Sequence, residues 1–543
     1  MGNVLSGYQS TECDVQLANS AGKIRGLQFD TKSQRYAGIP YALPPTGQFR
    51  WRKPRPLPKY YSYSSPDGVP YDATKFREVC LQTNYSTSVK KQLQHVLGED
   101  CLRLNIWAPI RKPEEKDPKW PVMIWFHGGW FQIGEPSQEE SMDPTELIST
   151  GQLNAVFVAV GYRLNVFGFL AGDALREETG GQEVGNYGLW DQRLAMEWVY
   201  KNISAFGGDP ENITLSGRSA GAYAVQAQTL YDFRGSMDES ARNHFRRLVM
   251  YSNAIPTQPK TPEDCQSQLD ELCKFFNIAL EAPGPEKLRR LRELNAEDLC
   301  AAVMKLKHHT FRPVTDGIFI HPGIFEYYCD GSFAKEFKRR HLRLLIGEVL
   351  NEETLYAVTN GPEANRESLE LQVSNYYSPS TTSRLLQHYS LPDSDQKRDW
   401  EVVFGQIISD GQVRAPSRFL VHNLLQHGVD IKDVWRYLIA YRMSFITDKV
   451  APPSFGVSHA MDRPIWNYSL MHGPSPDERQ LMDTWISDLV AFVKGDNDHS
   501  YGTKDCDEYK VMTAEGDIKV QKDARWNELL KLMDVFSGFS GDM

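Results

Sequence analysis

The chain has 543 residues, with 60 Lys and Arg against 70 Asp and Glu, a formal charge of −10 and a pI near 5.8. No polybasic block occurs, so nothing in the sequence reads as a nucleic-acid footprint, and the mild acidity suits solubility. No stretch reaches the ~18 uninterrupted apolar residues of a membrane helix: the longest apolar region, Ala155 to Leu170, is broken by Arg163 and Asn165.

At the N-terminus, Met1 to Asp14 has neither the positive start nor the apolar run of a secretory signal, which predicts a cytoplasmic protein. Met1, Gly2 and Ser6 match an N-myristoylation pattern, and one such lipid at Gly2 would give marginal, reversible membrane binding. The sequons at Asn84, Asn202, Asn212 and Asn467 are accordingly expected to be unused. None of the eight cysteines forms a CxxC pair, so zinc-site spacing is absent and no metal is expected. Length alone suggests three or four domains, but repeats, low-complexity tracts and long linkers are missing. Short apolar runs bounded by Gly, Asn or Pro predict strands at Val122–Phe126, Ala155–Val160, Ile213–Ser216, Leu248–Tyr251, Leu342–Ile346 and Trp435–Tyr441. Helical patterns such as Trp190–Asn202 and Asp264–Phe276 lie between them. The alternation predicts one α/β domain over residues 1–543, its largely parallel sheet flanked by helices. The charged, helical segment from Pro256 to Pro313 reads as an insertion, a candidate lid or pocket wall.

Gly217-Arg218-Ser219-Ala220-Gly221 follows the strand at Ile213–Ser216 and precedes a helical run. This G-x-S-x-G string is a nucleophile elbow in its required strand–turn–helix setting, with Ser219 at the tip. Upstream, His127-Gly128-Gly129-Trp130 leaves the strand at Val122–Phe126. A glycine-rich loop there supplies backbone N–H groups for an oxyanion hole, assigned to Gly129, Trp130 and Ala220. Arg218 and Phe131, beside the nucleophile and the loop, are candidates for the pocket wall. A serine needs a base and the base needs an acid, in chain order Ser, acid, His. His459 lies in a small-residue loop, Gly456 to Ala460, after the strand at Trp435–Tyr441. His308, His309, His388, His422, His427 and His499 sit in polar or helical settings and read as surface residues. The candidate acid is Glu352, and the local pattern leaves Glu353 and Glu348 as close rivals in the segment leaving the strand at Leu342–Ile346.

Ordered matches extend nearly end to end. They include Tyr36 to Ala42, Pro44 to Gly47, Glu99-Asp100-Cys101-Leu102 through Pro109, Gly161-Tyr162-Arg163-Leu164, Gly185-Asn186-Tyr187-Gly188, and Phe206 to Pro210. In these the chain resembles the type-B carboxylesterases of the cholinesterase and fungal-lipase superfamily. The resemblance implies the α/β-hydrolase fold, a serine hydrolase cleaving carboxylic esters through an acyl-enzyme, no cofactor, and a Ser219, Glu352, His459 triad. It selects Glu352 as the residue five after the glycine matched by Gly347. It also implies that Cys80 and Cys101 pair in secreted members, whereas an intracellular chain could keep both reduced. Cys265 and Cys273, about 12 Å apart along a continuous helix, could not bridge.

Four departures stand out. Arg218 replaces the usual Glu, which predicts either a preference for acyl groups carrying a carboxylate or a salt bridge facing away from the pocket. Trp130 replaces the third glycine of the loop, and Glu353 stands where Gly is common. The Cys80–Cys101 loop lacks Trp and Phe, which disfavours a choline-specific reading. Two alternatives share the resemblance: a non-catalytic interaction protein, disfavoured by the filled triad positions, and an amide or lactone hydrolase with the same machinery.

Overall fold

Along the run at Val122–Phe126, Val122, Ile124 and Phe126 enter one apolar cluster while Met123 and Trp125 enter another, so the strand is covered on both faces. The computed structural model describes residues 7–18, 21–83, 85, 96–111, 119–137, 143–234 and 245–538. Gly2 and Ser6 of the lipidation pattern, and the sequon at Asn84, lie outside the described residues.

Among the described residues, thirteen strands form one sheet. Twelve follow in chain order as β1 (Ser10–Gln16), β2 (Lys23–Phe29), β3 (Ser33–Pro40), β4 (Arg103–Ala108), β5 (Trp120–Phe126), β6 (Val156–Val160), β7 (Gly208–Arg218), β8 (Arg247–Tyr251), β9 (Arg343–Val349), β10 (Val434–Ile439), β11 (Glu508–Met512) and β12 (Ile518–Lys522). Tyr71–Asp72 pairs with β2 as the thirteenth. The spatial order is β1-β2-β3-β4-β6-β5-β7-β8-β9-β10-β11-β12. From β6 to β11 neighbours run parallel. The four strands at one end and β12 at the other are antiparallel. All six expected strands are present in this parallel centre, with shifted ends. The largest shift is at β7, which begins at Gly208, and β9 runs on to Val349.

Helices α1 (Tyr187–Asn202) and α2 (Ala220–Arg234) pack with the larger cluster. Residues 256–313 hold α3 (Gln266–Phe275), α4 (Gly284–Glu293) and α5 (Ala296–Val303), whose Leu269, Leu272, Leu288, Leu291 and Leu299 join the same cluster. Arg50 ties this segment down by donating to the carbonyls of Leu291 and Leu294, each at 3.2 Å. The opposite face is closed by α6 (Pro476–Lys494), which buries Met482, Trp485 and Leu489. No helix among the described residues is long and apolar enough to cross a membrane.

Parallel strands deliver all their carboxyl ends to one edge, where open α/β sheets carry their sites. At that edge β5 leads into His127, β7 into Ser219, β9 into Glu352 and β10 toward His459.

Candidate active site

Strand β7 ends at Arg218 and α2 begins at Ala220, so Ser219 alone makes the turn, at φ 54°. That left-handed backbone is costly for a residue with a Cβ, about 1 kcal/mol or more. It is held by two bonds: the Ser219 N–H donates to the Tyr251 carbonyl at 2.8 Å, and the Ser219 carbonyl accepts from Tyr223 N–H at 3.0 Å. Gly221 is required by crowding, since a Cβ there would stand 1.9 Å from the Phe126 carbonyl oxygen. The Ala220 N–H opens α2, where first-turn donors have no intrahelical acceptor.

Gly129, Trp130 and Phe131 take positive φ in succession, at 112°, 57° and 65°. Such a loop needs outside support. Gln132 supplies it, with its Oε1 accepting from Phe311 N–H at 3.1 Å and its amide nitrogen donating to the Phe311 carbonyl at 2.5 Å. Asn165 N–H donates to the Phe131 carbonyl at 2.7 Å. The Trp130 indole packs on Tyr85, with ring centres 5.3 Å apart. Phe131 corrects the expectation of a pocket-wall residue: it is fully buried against Phe169 and Tyr223 and does not line the cavity at Ser219. Its left-handed backbone turns the ring into the core.

The loops bearing Glu352 and His459 pair through a parallel bridge, Asn351 to Ser458, with Asn351 N–H donating to the Val457 carbonyl at 2.9 Å. Glu352 is fully buried; its Oε1 accepts from Val349 N–H at 2.9 Å and its Oε2 meets His459 Nδ1. An Nδ1–H bound to a carboxylate leaves the Nε2 lone pair free. The rival carboxylates are engaged elsewhere, Glu353 by Arg414 and Glu348 by a two-point pair with Arg418 at 2.9 and 2.8 Å.

A cavity of about 220 Å³ is lined by Ser219, His459, Gly128, Gly129 and Trp130, together with Leu355 and Arg463. No residue of 256–313 lines it; that segment instead walls a second cavity. Tyr356 was not foreseen from sequence. It is buried, with its ring 5.3 Å from that of His459 and its hydroxyl beside Ser219. Its signal was its spacing: Tyr356 lies four residues after Glu352, one turn along the helix Glu353–Val358.

Arg218 reaches the cavity wall, but its charge is neutralised. Its Nη1 donates to Asp462 Oδ1 at 2.6 Å, and Asp462 Oδ2 accepts from Trp466 Nε1 at 2.9 Å. This speaks against a free carboxylate-selecting cation; the expected salt bridge is present, although the residue borders the cavity where that alternative had it facing away. The pair also joins the nucleophile turn to the loop of His459. Asp462→Ala should lower stability by roughly 3–5 kcal/mol, because it strands a buried guanidinium. Adding Arg218→Met should restore part of that loss, a coupling readable in thermal midpoints of the four-member cycle. Additive losses would mean that the pair carries no coupling.

Cys80 and Cys101 are buried free thiols side by side, and the neighbouring thiol, with burial, holds Cys101 well above the ordinary range. They are unbonded here, unlike the pairing implied for secreted members. Cys265 and Cys273 are also free. Two histidines are buried neutral. His127 stacks on Tyr162 at 4.4 Å, and His309, expected at the surface, packs 5.8 Å from Tyr85. Burial pushes each down to about 4. An unfolded histidine, near 6.5, takes up its proton first as pH falls. Each therefore contributes stability that is full above about pH 6.5 and is lost progressively as pH falls toward 4. The thermal midpoint should drop over that window, and His127→Gln should flatten the drop whatever its own midpoint; an unchanged slope would exclude His127 as a contributor.

Comparison with known proteins gives a consistent picture. The model of the carboxylesterase family matches residues 11–531. An uncharacterised esterase/lipase of Schizosaccharomyces pombe is 39% identical over 521 residues, covering 94% of this chain and 93% of that one. A carboxylic ester hydrolase of Gibberella moniliformis is 34% identical over 547 residues, with 98% of each chain covered. Among solved structures, a PNB esterase superposes with a TM-score of 0.73 at 24% identity, over 96% of this chain and all of that one, which identifies the fold as that of the α/β-hydrolases.

Proposed function

We propose, for a chain that belongs to the carboxylesterase family and is a carboxylic ester hydrolase, that catalysis runs through an acyl-enzyme on Ser219. The observation that carries this reading is the convergence of Ser219, the Glu352-bound His459 and the Gly129–Trp130 loop on one cavity. Ser219 Oγ attacks the ester carbonyl while His459 Nε2 takes its proton. Glu352 fixes the tautomer and stabilises the imidazolium. The N–H groups of Gly129, Trp130 and Ala220 receive the negative charge that develops on the carbonyl oxygen. His459 returns the proton to the departing alcohol, and water, activated by the same imidazole, releases the acid.

Tyr356 stays protonated, since burial and the Glu352 charge both raise it. His127 stays neutral and shapes the loop rather than titrating with it.

Covalent labelling tests the assignment directly. A fluorophosphonate should add one adduct to the parent protein, on the peptide holding Ser219, and none to Ser219→Ala. Labelling at another serine, or none of a folded parent, would overturn it.

A further inference from the structure

A second cavity lies behind an aromatic partition from Ser219. Tyr85 packs on Trp130, which lines the first cavity, and its hydroxyl is 2.6 Å from Thr310 Oγ1, which lines the second. Tyr223, one helical turn past Ser219, also lines the second. The volume is about 20 Å³, room for one small group.

The charges in this wall do not balance. Lys260 and Arg312 both face the cavity, and no Asp or Glu lines it. Each donates to a neutral acceptor: Lys260 Nζ to the Ser374 carbonyl, and Arg312 Nη2 to Gln412 Oε1 at 2.8 Å. Asp264, whose charge Lys260 feels, is turned to the Thr261 N–H at 2.9 Å, and the Cys265 thiol is held neutral by burial, pushed up to about 11. Burial and the Arg312 charge both work against the Lys260 ammonium. Tyr376 also lines this wall, with its ring 5.2 Å from the Arg312 guanidinium and its hydroxyl beside that of Tyr85. Gln412 belongs to a π-helical turn, Asp410–Arg414, a geometry that recurs at functional sites.

Two half-buried cations with no carboxylate beside them, around a space for one small group, call for an anion. A guanidinium fork favours a planar, two-oxygen one. We propose that this cavity binds a carboxylate, with Arg312 and Lys260 supplying the charge. The carboxylate is either free in solution or the far end of a substrate's acyl chain, and the second source rests on the esterase reading above. Tyr223, which lines this cavity, donates its N–H to the Ser219 carbonyl at 3.0 Å, so only that helical turn and the aromatic partition separate the site from the nucleophile.

The test compares the parent with Arg312→Met, and with Lys260→Met should the first fail to fold. Two readouts are taken. The first is the ratio of kcat/KM for mono-p-nitrophenyl succinate, glutarate and adipate to that for p-nitrophenyl butyrate. The second is the thermal midpoint against sodium formate concentration. A fall of about tenfold or more in the ratio for one of the three monoesters supports the acyl source. A midpoint that rises with formate in the parent and not in the variant, with unchanged ratios, supports free carboxylate. Ratios and formate response both unaffected by the substitution would overturn the proposal. A parent that turns over none of the esters would instead count against the esterase mechanism, and the formate series would still decide the site.

Discussion

Ser219→Ala is expected to lower kcat for p-nitrophenyl butyrate by about 10⁴- to 10⁶-fold while leaving the protein folded. The size of the loss follows from the surroundings. Tyr356, whose hydroxyl lies beside Ser219, is kept protonated by its burial and so offers no ready phenolate in its place. What remains is the oxyanion loop and the cavity, which support only slow attack by water. The fold should survive because the turn is held by backbone bonds to Tyr251 and from Tyr223, neither of which uses the side chain. Ser219→Gly adds a control with opposite effects. It should be equally inactive yet more stable by about 1 kcal/mol, since glycine relieves the left-handed strain at φ 54°. Either variant retaining more than a few per cent of parental turnover would remove Ser219 from its role.

Glu352→Gln should cost on the order of 10⁴-fold in kcat at nearly unchanged stability. The direction of the amide decides this. Oε1 of Glu352 accepts from Val349 N–H at 2.9 Å, so the glutamine carbonyl oxygen keeps that place. Its NH₂ then faces His459 Nδ1, which must accept, and the imidazole proton is forced onto Nε2. The base then presents a proton to Ser219 where it should present a lone pair. Glu353→Gln, by contrast, touches a carboxylate already bound to Arg414 and should stay within about tenfold of the parent. A loss of less than tenfold in Glu352→Gln, or equal losses in both variants, would overturn the assignment of the acid.

The parts of the site that could be read from sequence are those built within a few residues of chain. The turn at Ser219 and the loop at Gly128–Trp130 are of this kind: glycines at fixed offsets after a buried strand leave few alternatives for the backbone. The six central strands were legible because both faces of each are buried, which gives continuous apolar runs. The antiparallel ends were not. β1 is mostly exposed, and β12 is polar and exposed along most of its length, so neither carries such a run. The choice among Glu348, Glu352 and Glu353 needed partners far away in sequence, Arg418, His459 and Arg414. The role of Arg218 depended in the same way on Asp462, 244 positions on. The cations of the second cavity come together only because the loop before α3, the segment after α5 and the π-helical turn meet in space.

The two bonds between Gln132 and Phe311 bear on how the enzyme is made. Three consecutive left-handed residues need support from outside the loop, and one brace lies 179 positions downstream. On the ribosome, β5, β6 and β7 can pair as they emerge and Asn165 can meet Phe131, yet the Gln132 brace must wait for Phe311, and the base for His459. A nascent chain thus has its nucleophile turn long before it can hydrolyse anything, and competence arrives as a late step that waits on the second half of the polypeptide.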